Sequence, residues 1–299
     1  IICQIGPGLF GVRTEDGEFS WEEFKRKSEI EEVKAFELKL AQGAKTRGGH
    51  VDGSKVTPEI ASIRNVKPWT SIDSPNRFYQ FDSTPEMFEF IKELRETGGK
   101  PVGIKIVVGN TEEVESIISY MAESGEGPDF ITVDGGEGGT GASYQELADA
   151  TGLPIKTALP FVDDLLKKYK VRDRVKIFAS GKLLTPDKIA IALALGADLV
   201  NIARGMMFSV GCIQAQVCHT NNCPVGVATT DPKLQKALIV EEKSFRTCNY
   251  VLSLREGLVN LAAAAGIDSP TKFERKHIVY KDDQGQLHSL DNMLKSPAG

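Results

Sequence analysis

Cys212, Cys218 and Cys223 fall in one polar stretch, Gly211-Cys-Ile-Gln-Ala-Gln-Val-Cys-His-Thr-Asn-Asn-Cys-Pro224. The spacing Cys-x5-Cys-x4-Cys-Pro matches neither a two-by-two zinc pattern nor a redox pair. An odd set of thiols ending in Cys-Pro suits a small iron–sulfur cluster, because iron in such clusters takes thiolates and the proline turns the chain away. Zinc is the competing reading. It needs a fourth ligand, which His219 could supply, but zinc sites usually space paired cysteines more tightly. Otherwise His219 packs or hydrogen-bonds in place. Cys3 and Cys248 stand alone and read as structural thiols.

Other residues suit a second electron carrier. The segment Asp134-Gly-Gly-Glu-Gly-Gly-Thr-Gly-Ala142 is glycine-rich, so backbone N–H groups can approach an anion without Cβ obstruction. It lacks the Gly-Lys-Ser/Thr ending of a nucleotide triphosphate loop, and a flexible loop is the plain alternative. Ser180-Gly181 and Arg204-Gly205 follow the last two apolar runs, and Arg204 could grip a phosphate with two parallel hydrogen bonds. Lys39 and Lys105 lie inside the apolar runs Phe36-Glu-Leu-Lys-Leu40 and Gly103-Ile-Lys-Ile-Val107. A buried lysine is costly without an anion, and a reduced flavin ring supplies one near N1 and O2. The alternative is a lysine snorkelling from a strand end or pairing with Glu37. Gln42 and Lys45 offer an amide and a cation for a carboxylate substrate. Arg47 and His50 read as solvated loop residues, and His277 and His288 as surface residues. Two carriers side by side imply electron transfer.

The elements that must position these groups alternate. Ile1–Ile5, Ala35–Leu40, Gly103–Val108, Phe130–Asp134, Val175–Ser180 and Leu199–Ala203 read as buried strands. Between them, Ser20 with Glu23 predicts a capping box and Phe19 with Phe24 a hydrophobic staple. Thr84-Pro85 predicts a helix start, followed by the apolar stripe Met87, Phe90, Ile91, Leu94 and a stop at Gly98-Gly99. Thr111 precedes a similar stripe, and Thr185-Pro186 opens a helix ending at Gly196. Near-continuous apolar strands alternating with helices predict a parallel sheet, either doubly wound or a (β/α)8 TIM barrel. Polar, glycine-rich sequence after almost every strand favours the barrel, whose sites sit at that end. The barrel has eight strands, so the two not found are expected before residue 1. The opening Ile1-Ile2-Cys3-Gln4-Ile5 reads as mid-strand and agrees with that expectation. The expected division is a barrel with its cysteine segment over 1–231, then a helical extension and polar tail over 232–299. A weak hairpin signal surrounds Asp283-Gln284-Gly285.

Bulk properties exclude several classes. The chain has 299 residues, a net charge of -5 and 41% hydrophobic content, which fits a globular domain. The mild acidic balance argues against nucleic acid. No apolar run approaches the roughly 18 residues of a membrane helix. Five cysteines in such a length do not resemble a disulfide-stapled secreted scaffold, so a reducing, cytoplasmic setting is expected.

Ala41-Gln-Gly-Ala-Lys45, Val56-Thr-Pro-Glu-Ile60, the glycine segment from Asp134 and Gly211-Cys…Cys-Pro-Val-Gly-Val-Ala-Thr229 resemble the FMN-binding synthase domain of glutamate synthase over roughly residues 1–231. The resemblance implies a (β/α)8 barrel holding FMN and a 3Fe-4S cluster. It implies that FMN reduces 2-iminoglutarate, formed from 2-oxoglutarate and ammonia, to L-glutamate. By the same resemblance Cys212, Cys218 and Cys223 would ligate the cluster, and Gln42 and Lys45 would hold substrate carboxylates, Lys45 assisting protonation. Lys105 would face the flavin's pyrimidine edge, and Gly135, Gly136, Ser180, Gly181, Arg204 and Gly205 would surround its ribityl and phosphate; Lys39 remains a cofactor candidate from its place in an apolar strand. One departure is Thr46-Arg47-Gly48-Gly49, where the family commonly has Pro-Gly and further glycines. There is neither a glutaminase cysteine nucleophile nor a glycine-repeat β-helix, so a stand-alone or truncated synthase domain is expected. Ammonia would then come from solution or a separate glutaminase subunit, and electrons from ferredoxin or an NAD(P)H-dependent subunit. Two other readings keep the same scaffold: a glutamate N-methyltransferase-type subunit with a different substrate, and a subunit that relays electrons without turnover.

Overall fold

The computed structural model describes residues 1–43, 49–139, 147 and 149–293. Lys45, Arg47 and the Thr140–Ala142 end of the glycine segment lie outside them.

Six strands form one parallel sheet: β1 (Ile2–Ile5), β2 (Ala35–Lys39), β5 (Val102–Ile106), β6 (Phe130–Asp134), β7 (Lys176–Ser180) and β8 (Leu199–Asn201). A separate antiparallel pair, β3 (His50–Val51) and β4 (Ile72–Asp73), rises from the connection between β2 and β5. Neighbours in the parallel sheet follow chain order without reversal. A doubly wound sheet must reverse its order at a switch point. Right-handed crossovers that always advance the same way put every helix on one face and curl the sheet around the other. The sheet is therefore an arc of a (β/α)8 barrel.

Alternation along the strands divides the two faces. Phe36, Leu38, Ile104, Ile106, Ile131, Val133, Ile177 and Ala179 join the main core. They pack there with residues of the connecting helices α1 (Trp21–Ser28), α3 (Thr84–Gly98), α4 (Thr111–Ser124), α5 (Ile155–Lys168) and α6 (Pro186–Ala194). The inner face carries a small separate cluster, Ala35, Phe130 and Phe178. The Phe130 and Phe178 rings stack with centroids 4.6 Å apart. Further along the same face come Glu37, Lys39, Lys105, Thr132, Asp134, Ser180 and Asn201. The inner face is thus apolar at the strand starts and polar at their C-terminal ends.

Helix starts follow local chemistry with one shift. The Ser20 hydroxyl accepts from the Glu23 N–H, and the Phe19 and Phe24 rings lie 5.9 Å apart. The reciprocal half of the predicted capping box is absent, because the Glu23 carboxylate binds Arg26 and the Ser20 N–H donates to Val12. In α3 the cap is Ser83 rather than Thr84, accepting from the Glu86 N–H. Helix α2 (Pro58–Arg64) lies between β3 and β4; after β8 come the short helices α7 (Arg204–Ser209) and α8 (Pro232–Gln235), the long α9 (Val240–Ala264), the antiparallel pair β9 (Val279–Lys281) and β10 (Leu287–Ser289), and α10 (Leu290–Met293).

Candidate functional site

The strand register explains which side chains meet. Lys39 on β2 aligns with Lys105 on β5, Lys105 with Thr132 on β6, and Asp134 with Ser180 on β7, which aligns with Asn201 on β8. One layer below, Glu37 aligns with Gly103. Glu37 accepts from the Thr132 hydroxyl on β6, two strands away, and, at 2.5 Å, from the Gln4 amide on neighbouring β1. Two cations side by side above a buried carboxylate need anionic company. Asp134 provides part of it: its side chain is 2% exposed, 3.5 Å from the Lys105 ammonium, and accepts the Gly43 N–H at 2.8 Å.

Above this layer opens a cavity of about 360 Å³, within the size range of small-molecule and cofactor sites. Gln42, Lys105, Ser180, Gly181 and Arg204, all singled out by sequence, line it, together with Asp134, Glu137 and Asn201. Cys212 and Cys218 line the same cavity. Lys39 borders an adjoining cavity of about 180 Å³ with Gln4 and Gly6, and Gln42 lines both.

Other candidates lie elsewhere. Gly135 and Gly136 do not line the cavity, and their N–H groups are already spent on the Ser180 and Leu153 carbonyls. A Cβ at Gly136 would come within 2.6 Å of the Thr151 and Gly152 carbonyl oxygens, so close backbone packing is what requires glycine there. Gly205 is buried beneath α9, where a Cβ would meet the Tyr250 hydroxyl at 2.0 Å. His50 is held between two carboxylates, with Nδ1 2.8 Å from Asp73 and Nε2 3.1 Å from Asp52.

The cysteine segment has distinctive electrostatics. Cys223 is buried, while Cys212 and Cys218 are half-buried. Burial pushes the Cys223 thiol up, but backbone hydrogen bonding from Ala228, Val225, Val227 and Gly226 outweighs it and leaves the thiol below its usual value. Cys218 is pushed up, first by burial and then by the neighbouring Cys223 and Cys212 charges. The Gln214 N–H approaches the Cys212 sulfur at 3.5 Å. The ring Nδ1 of His219 is buried without a hydrogen-bond partner, so the side chain packs but does not hydrogen-bond through that nitrogen. Among the described residues no three His, Cys, Asp or Glu side chains converge on a point that one metal ion could fill. Cys212 and Cys218 lie at the cavity, whereas Cys223 is not among the residues that line it.

Sequence reasoning missed Asp134 as a functional side chain, reading it only as the start of a glycine loop. Its position at the C-terminal end of a barrel strand was the available signal. Glu137, whose carboxylate accepts the Ile155 N–H at the start of α5, gave no such signal.

A family model described as the conserved region in glutamate synthase matches residues 1–268. The chain belongs to this glutamate synthase family. It is 71% identical over 294 residues to the glutamate synthase large subunit-like protein YerD of Bacillus subtilis, covering 98% of this chain and 56% of that protein. It is 34% identical over 272 residues to the archaeal glutamate synthase [NADPH] of Methanocaldococcus jannaschii, covering 90% of this chain and 50% of that one. The chain thus spans about half the length of these relatives. Among solved structures, a flavocytochrome b2 mutant with pyruvate bound superposes with a TM-score of 0.51 at 14% identity, covering 91% of this chain and 52% of that one. At that identity the likeness concerns the barrel fold alone. No helix among the described residues is long and apolar enough to cross a membrane.

Proposed function

We propose that this chain is the synthase region of a glutamate synthase-like oxidoreductase, holding FMN in the cavity and a 3Fe-4S cluster on Cys212, Cys218 and Cys223. The carrying observation is that two of those cysteines line the same cavity as Lys105, Ser180, Gly181, Arg204 and Gln42. The buried ring nitrogen of His219, which lacks a hydrogen-bond partner and follows Cys218 in sequence, supports an occupant near the cysteine segment. Residues 1–231 would carry both groups and 232–299 would buttress them.

In this reading Arg204, Ser180 and Gly181 bind the phosphate, and Lys105 faces the pyrimidine edge, held in place by Asp134. Lys39, one strand away, adds positive charge beside it. Gln42, whose neighbour Gly43 is pinned to Asp134, orients a substrate carboxylate, and Lys45, three residues on in sequence, is assigned the second carboxylate. When bound, FMN supplies a hydride and the cluster supplies electrons singly. Ammonia condenses with 2-oxoglutarate and releases water. For 2-iminoglutarate, formation of L-glutamate would need that hydride at C2 and a proton at nitrogen, the role we assign to Lys45. A ferredoxin or an NAD(P)H-dependent subunit would supply electrons and a separate glutaminase could supply ammonia.

The test uses the complete protein prepared without oxygen, with the flavin chemically reduced. Reoxidation that requires both 2-oxoglutarate and ammonia, with glutamate formed in equal amount, is expected. A reduced flavin indifferent to both substrates, yet reoxidised by an electron acceptor, overturns the synthase reading in favour of electron relay.

A further inference from the structure

Lys55 ends the short turn after β3 and is half-buried. Its ammonium donates to the carbonyls of Cys218 at 2.7 Å and Ala228 at 3.0 Å, on either side of Cys223. Among the described residues no carboxylate forms an ion pair with it. The turn that it grips carries Cys218 at one end and Cys223 between the two carbonyls. A partly buried ammonium with two carbonyls and no carboxylate is poorly compensated. An anionic, thiolate-ligated cluster would supply the missing charge. Two further bonds join the same loop to the cysteine segment: the Asp52 N–H to the His219 carbonyl at 3.4 Å, and the Asn221 amide to the Ser54 carbonyl at 3.5 Å.

We propose that Lys55 is the positioning residue of the iron–sulfur segment: it clamps the turn from Cys218 to Ala228, and its charge raises the reduction potential of the cluster held there. This rests on the cluster reading above. Reduction adds one electron and makes the cluster more negative, so a fixed cation beside it stabilises the reduced state over the oxidised one.

The experiment compares the complete wild-type protein with Lys55→Gln, Lys55→Met and Lys55→Arg, each reconstituted anaerobically with iron and sulfide. Iron and acid-labile sulfide per chain are measured, and the midpoint is followed by electron paramagnetic resonance during redox titration. Lys55→Gln retains a hydrogen-bond donor without charge. It is expected to keep iron while its reduced-to-oxidised ratio at the wild-type midpoint falls about tenfold, some 59 mV for a one-electron couple. Lys55→Met, lacking clamp and charge, is expected to lose iron as well, and Lys55→Arg to restore both properties. An iron-loaded Lys55→Gln with the wild-type midpoint overturns the proposal, as does a Lys55→Arg no better than Lys55→Met. A wild-type chain with neither iron nor sulfide removes the cluster reading itself, an outcome distinct from a failure of Lys55 in loaded protein.

Discussion

Asp134 shows how one side chain can serve structure and site together. Its carboxylate is almost fully enclosed, ion-paired to Lys105 and bonded to the Gly43 N–H. Removing one partner of a buried pair leaves the other uncompensated, at about 3–5 kcal/mol. Asp134→Ala should therefore lower stability by about that amount in urea melts. Asp134→Asn, whose amide oxygen still accepts from Gly43, should lose less. Equal losses would mean that the Gly43 bond contributes little beside the charge, and two small losses that the Lys105 charge is compensated elsewhere. His50 gives a pH-dependent counterpart. Its hydrogen bonds to Asp73 and then Asp52 raise its pKa in the folded chain. A raised histidine stabilises fully below its unfolded value of about 6.5 and loses that contribution as pH climbs through the higher folded value. Amide protection in the β3–β4 pair should fall over that window, and His50→Gln should flatten the dependence.

At the scale of elements, the apolar inner cluster sets the spacing of the barrel arc. The ring of Phe130 lies over Gly103, where a Cβ would sit 2.3 Å from it. Overpacking of this kind costs about 1–3 kcal/mol. Gly103→Ala should therefore destabilise the chain by that amount, and Phe130→Leu should recover part of it in a double-mutant cycle. Additive effects would show that the two residues do not share the space. The six strands were legible in the sequence because each is a short apolar run, a strictly local signal, although the edge strands β1 and β8 are partly exposed. Helix α5 was not. Its N-terminal N–H at Ile155 is capped by Glu137, 18 residues away, and Pro160 interrupts it, so no local start signal exists. The site divides the same way. The cysteine trio announces itself by spacing within one segment. Lys105 stands out as a charge in an apolar strand. Lys55 and the joint action of Asp134 with Gly43 depend on contacts across 163 and 91 positions, which no local pattern contains.

Across the whole molecule the two ends of the barrel arc are chemically opposed. The strands' C-terminal ends carry the cavity, the lysines and the cysteines. The opposite end is organised around Asp163, a 1% exposed carboxylate on α5. It receives Lys167 at 2.5 Å, Arg172 at 2.8 Å and Arg275 at 3.0 Å. Arg172 also donates to the Gly196 and Val175 carbonyls and to Asp198, tying α5 to the starts of β7 and β8. A Cβ at Gly196 would lie 2.4 Å from the Asp163 carboxyl carbon, and its φ of +115° favours glycine independently. Polar groups at this end of a barrel serve stability. Arg275 is the link from the C-terminal segment, because it also reaches Asp164 at 2.7 Å. Arg275→Ala leaves Asp163 with Arg172 and Lys167, so the loss should approach that of charged hydrogen bonds, about 2 kcal/mol, and not the larger cost of an orphaned charge. Limited proteolysis should then cut first within residues 276–293, while the flavin absorption of the loaded protein stays unchanged. Bleaching of the flavin at the same temperature as that cleavage would mean the two ends melt as one unit and that Arg275 secures the cavity as well as the tail.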